Sequence, residues 1–323
     1  MITEIIDYRY ILDWNLDTIL EDSKFISNIS PDYSLVTNTT SGLTSPTKIQ
    51  TDYFIHRKRR GKPSELRSCA RDSLVSYVAY KLNLTNYVIN TAAECSGTLY
   101  ALYTATVLSY FNKQPVIVFS ADNQIVDELS VWNFTSFGAM HQETGRGFDS
   151  SSRGFRMGTA ACMFLIKHSE VKISLPSIAT ISNYNFFTNP QLVTNPSNAE
   201  DLLNNIKGID YNKIDLWNAH ATGTPIGDKF EYDIFSKLIS RDIPIIGYKG
   251  HVGHCIAASG GIEICLMLDD YSSNNLRPNI ILGDKIVDDS RIITQPTSFD
   301  YKKILKANFG FGGKNVVCQI DIQ

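Results

Sequence analysis

The sequence predicts an α/β fold, and three observations lead there. Residues 64–120 read as helix, strand, helix, strand, each with the periodicity of its type. Further on, the chain twice repeats a strand, a polar motif carrying glycine and histidine, and a helix. Its 323 residues, 43% of them hydrophobic, supply enough apolar surface for one large domain or for two similar halves. With 20% charged residues and a net charge of −3, the chain is an ordinary globular protein, and no overall charge points to nucleic acid.

Taken in order, residues 1–34 are mixed and aromatic, with a candidate helix at Asn15 to Ser23. Ser34 opens a short strand that runs into a Ser/Thr/Gly loop. His56 to Lys62 is the one dense basic run, a solvated loop or a landing site for an acidic partner. Leu66, Ala70, Leu74, Val78 and Leu82 stand four apart, which predicts an amphipathic helix from Ser64 to Leu82. Tyr87 to Thr91 reads as a buried strand, Ser96 to Phe111 as a helix, and Gln114 to Ser120 as a strand. A long loop spans Asp122 to Arg156. Ala160 to Lys167 and Val171 to Ser182 read as strands paired through His168-Ser169-Glu170. Asn195 begins a capped helix that reaches about Lys207.

Ile214 to Ala219 is a strand that delivers His220, followed by a helix containing Phe230, Ile234, Phe235 and Leu238. Ile243 to Tyr248 is the next strand; it delivers Lys249 and His254 ahead of a helix from Cys255 to Asp269. The glycine-rich stretch Ala307 to Asn315 precedes a last strand, Val316 to Ile322. It fits neither G-x-G-x-x-G nor a P-loop, and reads as a mobile lid over an apolar slot or as a tight turn.

The chemistry centres on Cys95, in the polar turn Asn90 to Gly97 between a strand and a helix. At a helix N-terminus the free amides and the helix dipole favour the thiolate, the reactive form; the plain alternative is a small core filler. Strand ends are where open α/β sheets bind ligands, so Cys95, His220 and His254 are expected to converge. None of the six cysteines forms a C-x-x-C pair, and Cys69, Cys162, Cys265 and Cys318 fall in apolar runs, which suits a reduced, cytoplasmic setting. Acidic residues at the N-terminus and the lack of an apolar run near ~18 residues predict neither secretion nor a membrane span.

Four motifs stand in one order: Ala93-Glu94-Cys95-Ser96-Gly97; Asn218-Ala219-His220-Ala221-Thr222-Gly223-Thr224-Pro225; Lys249 to His254 followed by Ala257-Ala258-Ser259-Gly260; and Asn308-Phe309-Gly310-Phe311-Gly312-Gly313. Together they resemble the β-ketoacyl synthases, the elongating Cys-His-His type of the thiolase superfamily. Gly147 to Gly158 is similar to that family's Phe-Asp-x-x-Arg-Asp-Gly-Phe segment, without the acidic residue before Gly154. The resemblance runs from about Ser34 onward and implies a shortened N-terminus. It implies a thiolase-like layered α-β-α-β-α architecture within one domain of residues 1–323, with a nucleophile half at 1–182 and a histidine half at 183–323.

The resemblance also implies roles. Cys95 takes an acyl group from an acyl carrier protein, and His220 and His254 act on a malonyl thioester. The amides of Cys95 and Phe309 form the oxyanion hole. Lys249 and Glu231 orient the histidines, Cys95 and Phe309 also gate the site, and Thr222, Thr224 and Phe311 meet the pantetheine arm. No metal or bound cofactor is implied, the substrates riding on carrier-protein phosphopantetheine. A homodimer, or a heterodimer with a related subunit, is the expected assembly. Glu94 beside the nucleophile opposes thiolate formation, and Lys314 replaces the usual threonine; both suggest a specialised fatty-acid or polyketide-type synthase. The alternative is a non-condensing subunit comparable to chain-length factors, although a scaffold needs none of Cys95, His220, His254 or Lys249. A thiolase is disfavoured, since Cys318 lies in a strand and not in a glycine-rich loop.

Overall fold

A computed structural model of the chain describes residues 1–40, 53, 62–123, 128–141, 143–188 and 206–323. Among these residues ten strands form one sheet: β1 (Thr3–Ile11), β2 (Ser34–Asn38), β3 (Val88–Thr91), β4 (Val116–Asn123), β5 (Thr159–His168), β6 (Ala179–Thr188), β7 (Leu216–Asn218), β8 (Ile245–Ile246), β9 (Lys303–Phe309) and β10 (Lys314–Ile322). Their order is β3-β2-β4-β5-β1-β6-β10-β9-β7-β8. Divided between β1 and β6, the sheet falls into two five-stranded halves of the same order. In each, one strand lies parallel to two neighbours: β2 to β3 and β4, and β7 to β8 and β9. In each, the remaining pairs, β4 with β5 and β5 with β1, or β9 with β10 and β10 with β6, run antiparallel. The halves meet through a short ladder, Thr3, Glu4 and Ile5 opposite Ile181, Thr180 and Ala179.

The side chains explain the layering. On β4, Val116 and Val118 face one core while Ile117 and Phe119 face another, and β5 alternates in the same way. A strand covered on both faces reads as a continuous apolar run, and these two do. Helices α1 (Leu16–Leu20), α2 (Ser23–Ile26), α3 (Pro63–Cys69) and α4 (Arg71–Lys81) precede β3. Leu16, Ile19 and Phe25 of α1 and α2, with Leu74 and Val78 of α4, cover the outer face of the first half. Helix α5 (Gly97–Asn112) lies in the middle and contacts α9 (Ser259–Ser272) there; Leu99 and Leu102 share that core with Ile262 and Leu266. Helix α7 (Pro225–Leu238) packs Ile234 and Phe235 on the outer face of the second half, against Trp217 and Leu305. The result is the expected alternation of helical and sheet layers. Among the described residues the remaining α-helices are α6 (Glu128–Ser136) and α8 (Lys249–Val252).

Several expectations are corrected. The boundary at 182/183 cuts through β6; the repeat places it between β5 and β6. Strands β5 and β6 do not pair, because β1 lies between them. Residues 1–34, read as carrying little, supply this central strand and two short helices instead of one from Asn15 to Ser23. The helix from Ser64 to Leu82 is two, broken at Ala70, whose ψ of 138° is extended. The loop from Asp122 to Arg156 contains α6, and β9 was not anticipated. Strand β3 is an edge strand with Val88 40% exposed, not a buried one. Arg57, Lys58, Arg59 and Arg60, and residues 195–205 of the expected capped helix, lie outside the described residues. Among the described residues no helix is long and apolar enough to cross a membrane.

The start of α5 is tightly fitted. A Cβ on Gly97 would lie 1.9 Å from Oδ1 of Asn38. Asn38 is fully buried and donates from Nδ2 to the Thr91 carbonyl at 2.8 Å, so it has no free direction to move. Alanine normally favours a helix over glycine by about 1 kcal/mol, but here the clash decides the sign. Gly97→Ala is expected to lower stability by about 1–3 kcal/mol in urea unfolding; an unchanged or raised midpoint would show that Asn38 yields.

Candidate active site

Three strand ends bring the reactive groups together. Strand β3 leads into a 3₁₀ turn, Glu94–Ser96, which places Cys95 immediately before α5. Strand β7 ends two residues before His220, and His254 follows α8. Each of the three lies within two residues of a non-glycine at positive φ: Glu94 at 45°, Ala221 at 40° and Ile256 at 35°. Such strained backbone persists only where the surroundings enforce it, and it clusters at sites that must aim side chains.

His254 Nε2 stands 3.1 Å from Cys95 Sγ, and its Nδ1 is 2.7 Å from Ser259 Oγ. The rings of His220 and His254 are 5.7 Å apart at 86°. Around Nδ1 of His220, Lys249 Nζ and Asn308 Nδ2 both lie at 3.3 Å. An ammonium has no lone pair to offer, so Nδ1 accepts and the ring proton of His220 sits on Nε2. Lys249 also donates to the His220 carbonyl at 2.5 Å and to Glu263, and Lys306 takes the other oxygen of Glu263.

Glu231 works on the backbone rather than on the imidazoles: its carboxylate accepts from His220 N at 2.7 Å and from Ala221 N at 2.9 Å, holding the strained turn. Thr222 and Thr224 hydrogen-bond through their hydroxyls at 2.9 Å. Both line a cavity of about 280 Å³ with His220, His254, Phe309 and Phe311. The main-chain amides of Phe311 and of Cys95 itself favour the Cys95 thiolate. Phe309 instead sets its ring edge-on to His220 at 5.6 Å. Phe311 packs on Phe134 of α6, 4.9 Å between rings, beside the cluster of Met140, Phe155 and Met157 that surrounds Cys95.

Burial dominates the electrostatics. It pushes the Cys95 thiol up to about 12, outweighing the Phe311 amide and the Lys249 charge that favour thiolate; Glu94 adds a smaller push in the same upward direction. Burial, reinforced by Lys249, holds both imidazoles well below their usual range. The amides at the helix start favour the thiolate as expected, but burial opposes it more strongly. The resting site is a neutral thiol beside a neutral imidazole, and the base within reach is His254 Nε2. Alkylation of Cys95 by iodoacetamide is expected to keep accelerating from pH 8 to beyond pH 10, because the thiolate fraction still rises there. A plateau below pH 8 would mean that a Cys95–His254 ion pair forms at rest.

The sequence reading missed Glu263, Lys306 and Ser259, and gave Asn308 no role. For the first two a signal existed: each is a charge inside an otherwise apolar segment, Gly261-Ile262-Glu263-Ile264-Cys265 and Ile304-Leu305-Lys306-Ala307.

Residues 179–280 match the family described as β-ketoacyl synthase, C-terminal domain. The chain is 26% identical over 300 residues to the probable polyketide synthase 25 of Dictyostelium discoideum, covering 82% of this chain and 12% of that protein. It is 28% identical over 251 residues to the mitochondrial 3-oxoacyl-[acyl-carrier-protein] synthase of Arabidopsis thaliana, covering 68% of this chain and 53% of that one. It therefore spans about an eighth of the first relative and about half of the second. A ketosynthase from Xenorhabdus doucetiae, solved in complex with its chain length factor, superposes with a TM-score of 0.80 at 15% identity, covering 95% of this chain and 79% of that one.

Proposed function

The chain is a relative of the β-ketoacyl synthases in their thiolase-like fold, and on that premise we propose that it is a decarboxylating condensing enzyme acting on carrier-protein thioesters. The observation that carries the proposal is Cys95 Sγ at 3.1 Å from His254 Nε2, with His254 and His220 side by side at the wall of one cavity.

In the first half-reaction His254 Nε2 takes the thiol proton and Cys95 Sγ attacks the acyl thioester carbonyl. The amides of Cys95 and Phe311 hold the tetrahedral oxyanion. Collapse breaks the bond to the pantetheine sulfur, which leaves with the proton from His254, and Cys95 keeps the acyl group. A malonyl thioester then loses CO₂; the electron pair of the broken carbon–carbon bond forms an enolate whose oxygen accepts from Nε2–H of His220, and from His254 once its ring proton has exchanged through solvent from Nδ1 to Nε2, Nδ1 then accepting from the Ser259 hydroxyl. Attack of the enolate carbon on the Cys95 thioester releases the β-ketoacyl product, and the Cys95 thiolate takes up a proton from solvent. Lys249, Asn308 and Glu231 position His220, Ser259 orients His254, and Thr222, Thr224 and Phe311 face the pantetheine arm.

The chemistry asks for no metal or bound cofactor, since CO₂ release and thioester exchange drive it. The acidic carrier protein is the proposed partner. Exposed edge strand β3, with Val88 40% and Tyr87 57% exposed, suits pairing with a second copy or a related subunit. Five buried free cysteines, with Cys69's side chain outside the described set, suit a reducing, cytoplasmic setting; a specialised fatty-acid or polyketide-type pathway is the proposed context. The test is turnover with acyl and malonyl carrier proteins, read as CO₂ release, β-ketoacyl product and acyl mass on Cys95. A protein that gains no acyl mass would be a non-condensing subunit, contrary to the proposal.

A further inference from the structure

Beneath His220 lies a charge arrangement that the condensation steps leave unused. Lys306 of β9 is fully buried, and its ammonium meets one oxygen of Glu263 and, at 3.1 Å, the Ala307 carbonyl. The other Glu263 oxygen takes Lys249, which lies 3.3 Å from His220 Nδ1. Lys306 faces Asn218 of β7, two residues before His220, on one side and Cys318 of β10 on the other. Neither polar atom of the Asn218 side chain finds a hydrogen-bond partner among the described residues.

Lys249 and Glu263 alone would make a neutral buried pair. Lys306 adds a second ammonium to the same carboxylate and leaves a positive surplus in a site with little water to screen it. Protonating His220 would then place a further cation against Lys249. The other ionisable groups near His220 are Glu231 of α7, bound to its backbone amide, and His254, itself held neutral by burial. Cys318, across the ladder from Lys306, is a thiol that burial keeps protonated.

We propose that Lys306 is a positioning residue that, by sharing Glu263 with Lys249, keeps His220 in the neutral Nε2–H form; the functional importance of that form rests on the condensation reading above. Burial depresses His220 first, and the charges of Lys249, His254 and Lys306 act in the same direction.

The test is a pH titration of histidine ring ¹³Cε1 signals in the full chain, with His220→Gln identifying the resonance. Wild type, Lys306→Met and Lys306→Gln are compared; methionine keeps the unbranched stem and lets Glu263 pair with Lys249 alone. In wild type, His220 is expected to stay neutral at pH 5. In either folded variant its midpoint is expected to rise by about one pH unit or more. The acidic limb of kcat should move up with it, while KM for malonyl carrier protein changes little. An unchanged His220 midpoint in a folded variant overturns the proposal. If both variants fail to fold, the same titration on Lys306→Leu decides, a raised His220 midpoint upholding the inference and an unchanged one overturning it; uptake of a proton by wild-type His220 near pH 6.5 refutes it in any case. Should the titration shift as expected in a chain that does not condense, the functional reading fails and the role of Lys306 stands.

Discussion

Glu263→Gln is expected to cost about 3–5 kcal/mol of stability, although it changes no more than one oxygen to an amide nitrogen. Glu263 is 1% exposed, and its two oxygens serve the buried ammonium groups of Lys249 and Lys306. Glutamine has one carbonyl oxygen and no charge, so at least one buried lysine is left without a counter-ion. An exposed pair such as Lys229–Asp233, with side chains 50% and 47% accessible, would contribute only about 0–1 kcal/mol. The pH dependence has a definite sign. Burial already pulls Lys306 down, and without the carboxylate it gives up its proton more readily in the folded state. The unfolded chain then binds more protons than the folded one, so stability rises with pH. The deficit against wild type should therefore be larger at pH 7 than at pH 10 in urea unfolding. Equal midpoints for variant and wild type at pH 7 would mean that the three charges do not hold the site together.

Cys95→Ala is expected to lower condensation by about 10³-fold or more, because a covalent step is lost and not merely weakened. The side chain is 1% exposed and sits among Met140, Phe155 and Met157, so removal of one sulfur leaves a small void and a folded protein. The histidines, Lys249 and the cavity remain. Intact mass after incubation with an acyl thioester should show no acyl adduct, while CO₂ release from a malonyl thioester, for which the two imidazoles suffice, should persist. Undiminished β-ketoacyl product from the alanine variant would remove Cys95 from the mechanism.

What sequence reasoning could see was local. Cys95, His220, Lys249 and His254 each follow a short apolar run and stand among small polar residues, a pattern that places them at strand ends; the structure brings all four together. The layered fold was legible for a related reason, since strands covered on both faces read as uninterrupted apolar runs. What failed was pairing over distance. Nothing near His168-Ser169-Glu170 shows that a strand from residues 3–11 separates β5 from β6. Glu263 was passed over because helical periodicity accounted for its neighbours, and Lys306 because residues 303–306 were not read as a strand; their partnership is formed only where α9 meets β9. The sequence places the second oxyanion amide at Phe309, whereas the amide that favours the thiolate at rest is that of Phe311; both phenylalanines flank glycine, and which amide faces the sulfur depends on the path of the loop, in which Gly312 takes a φ of 77°.

The position of β1 bears on how the chain reaches its native state. Thr3 pairs with His168, and Ile5 lies beside both Ile166 and Ala179, so the middle of the sheet cannot close until nearly the whole first repeat has been laid down. Contacts this distant in sequence carry a large loop-closure cost and slow the rate-limiting step. Until β1 inserts, β5 and β6 present unpaired main-chain edges with apolar faces, the kind of surface that captures other chains. Refolding yield should therefore fall as protein concentration rises, with the dwell time of that open intermediate, rather than final stability, limiting recovery.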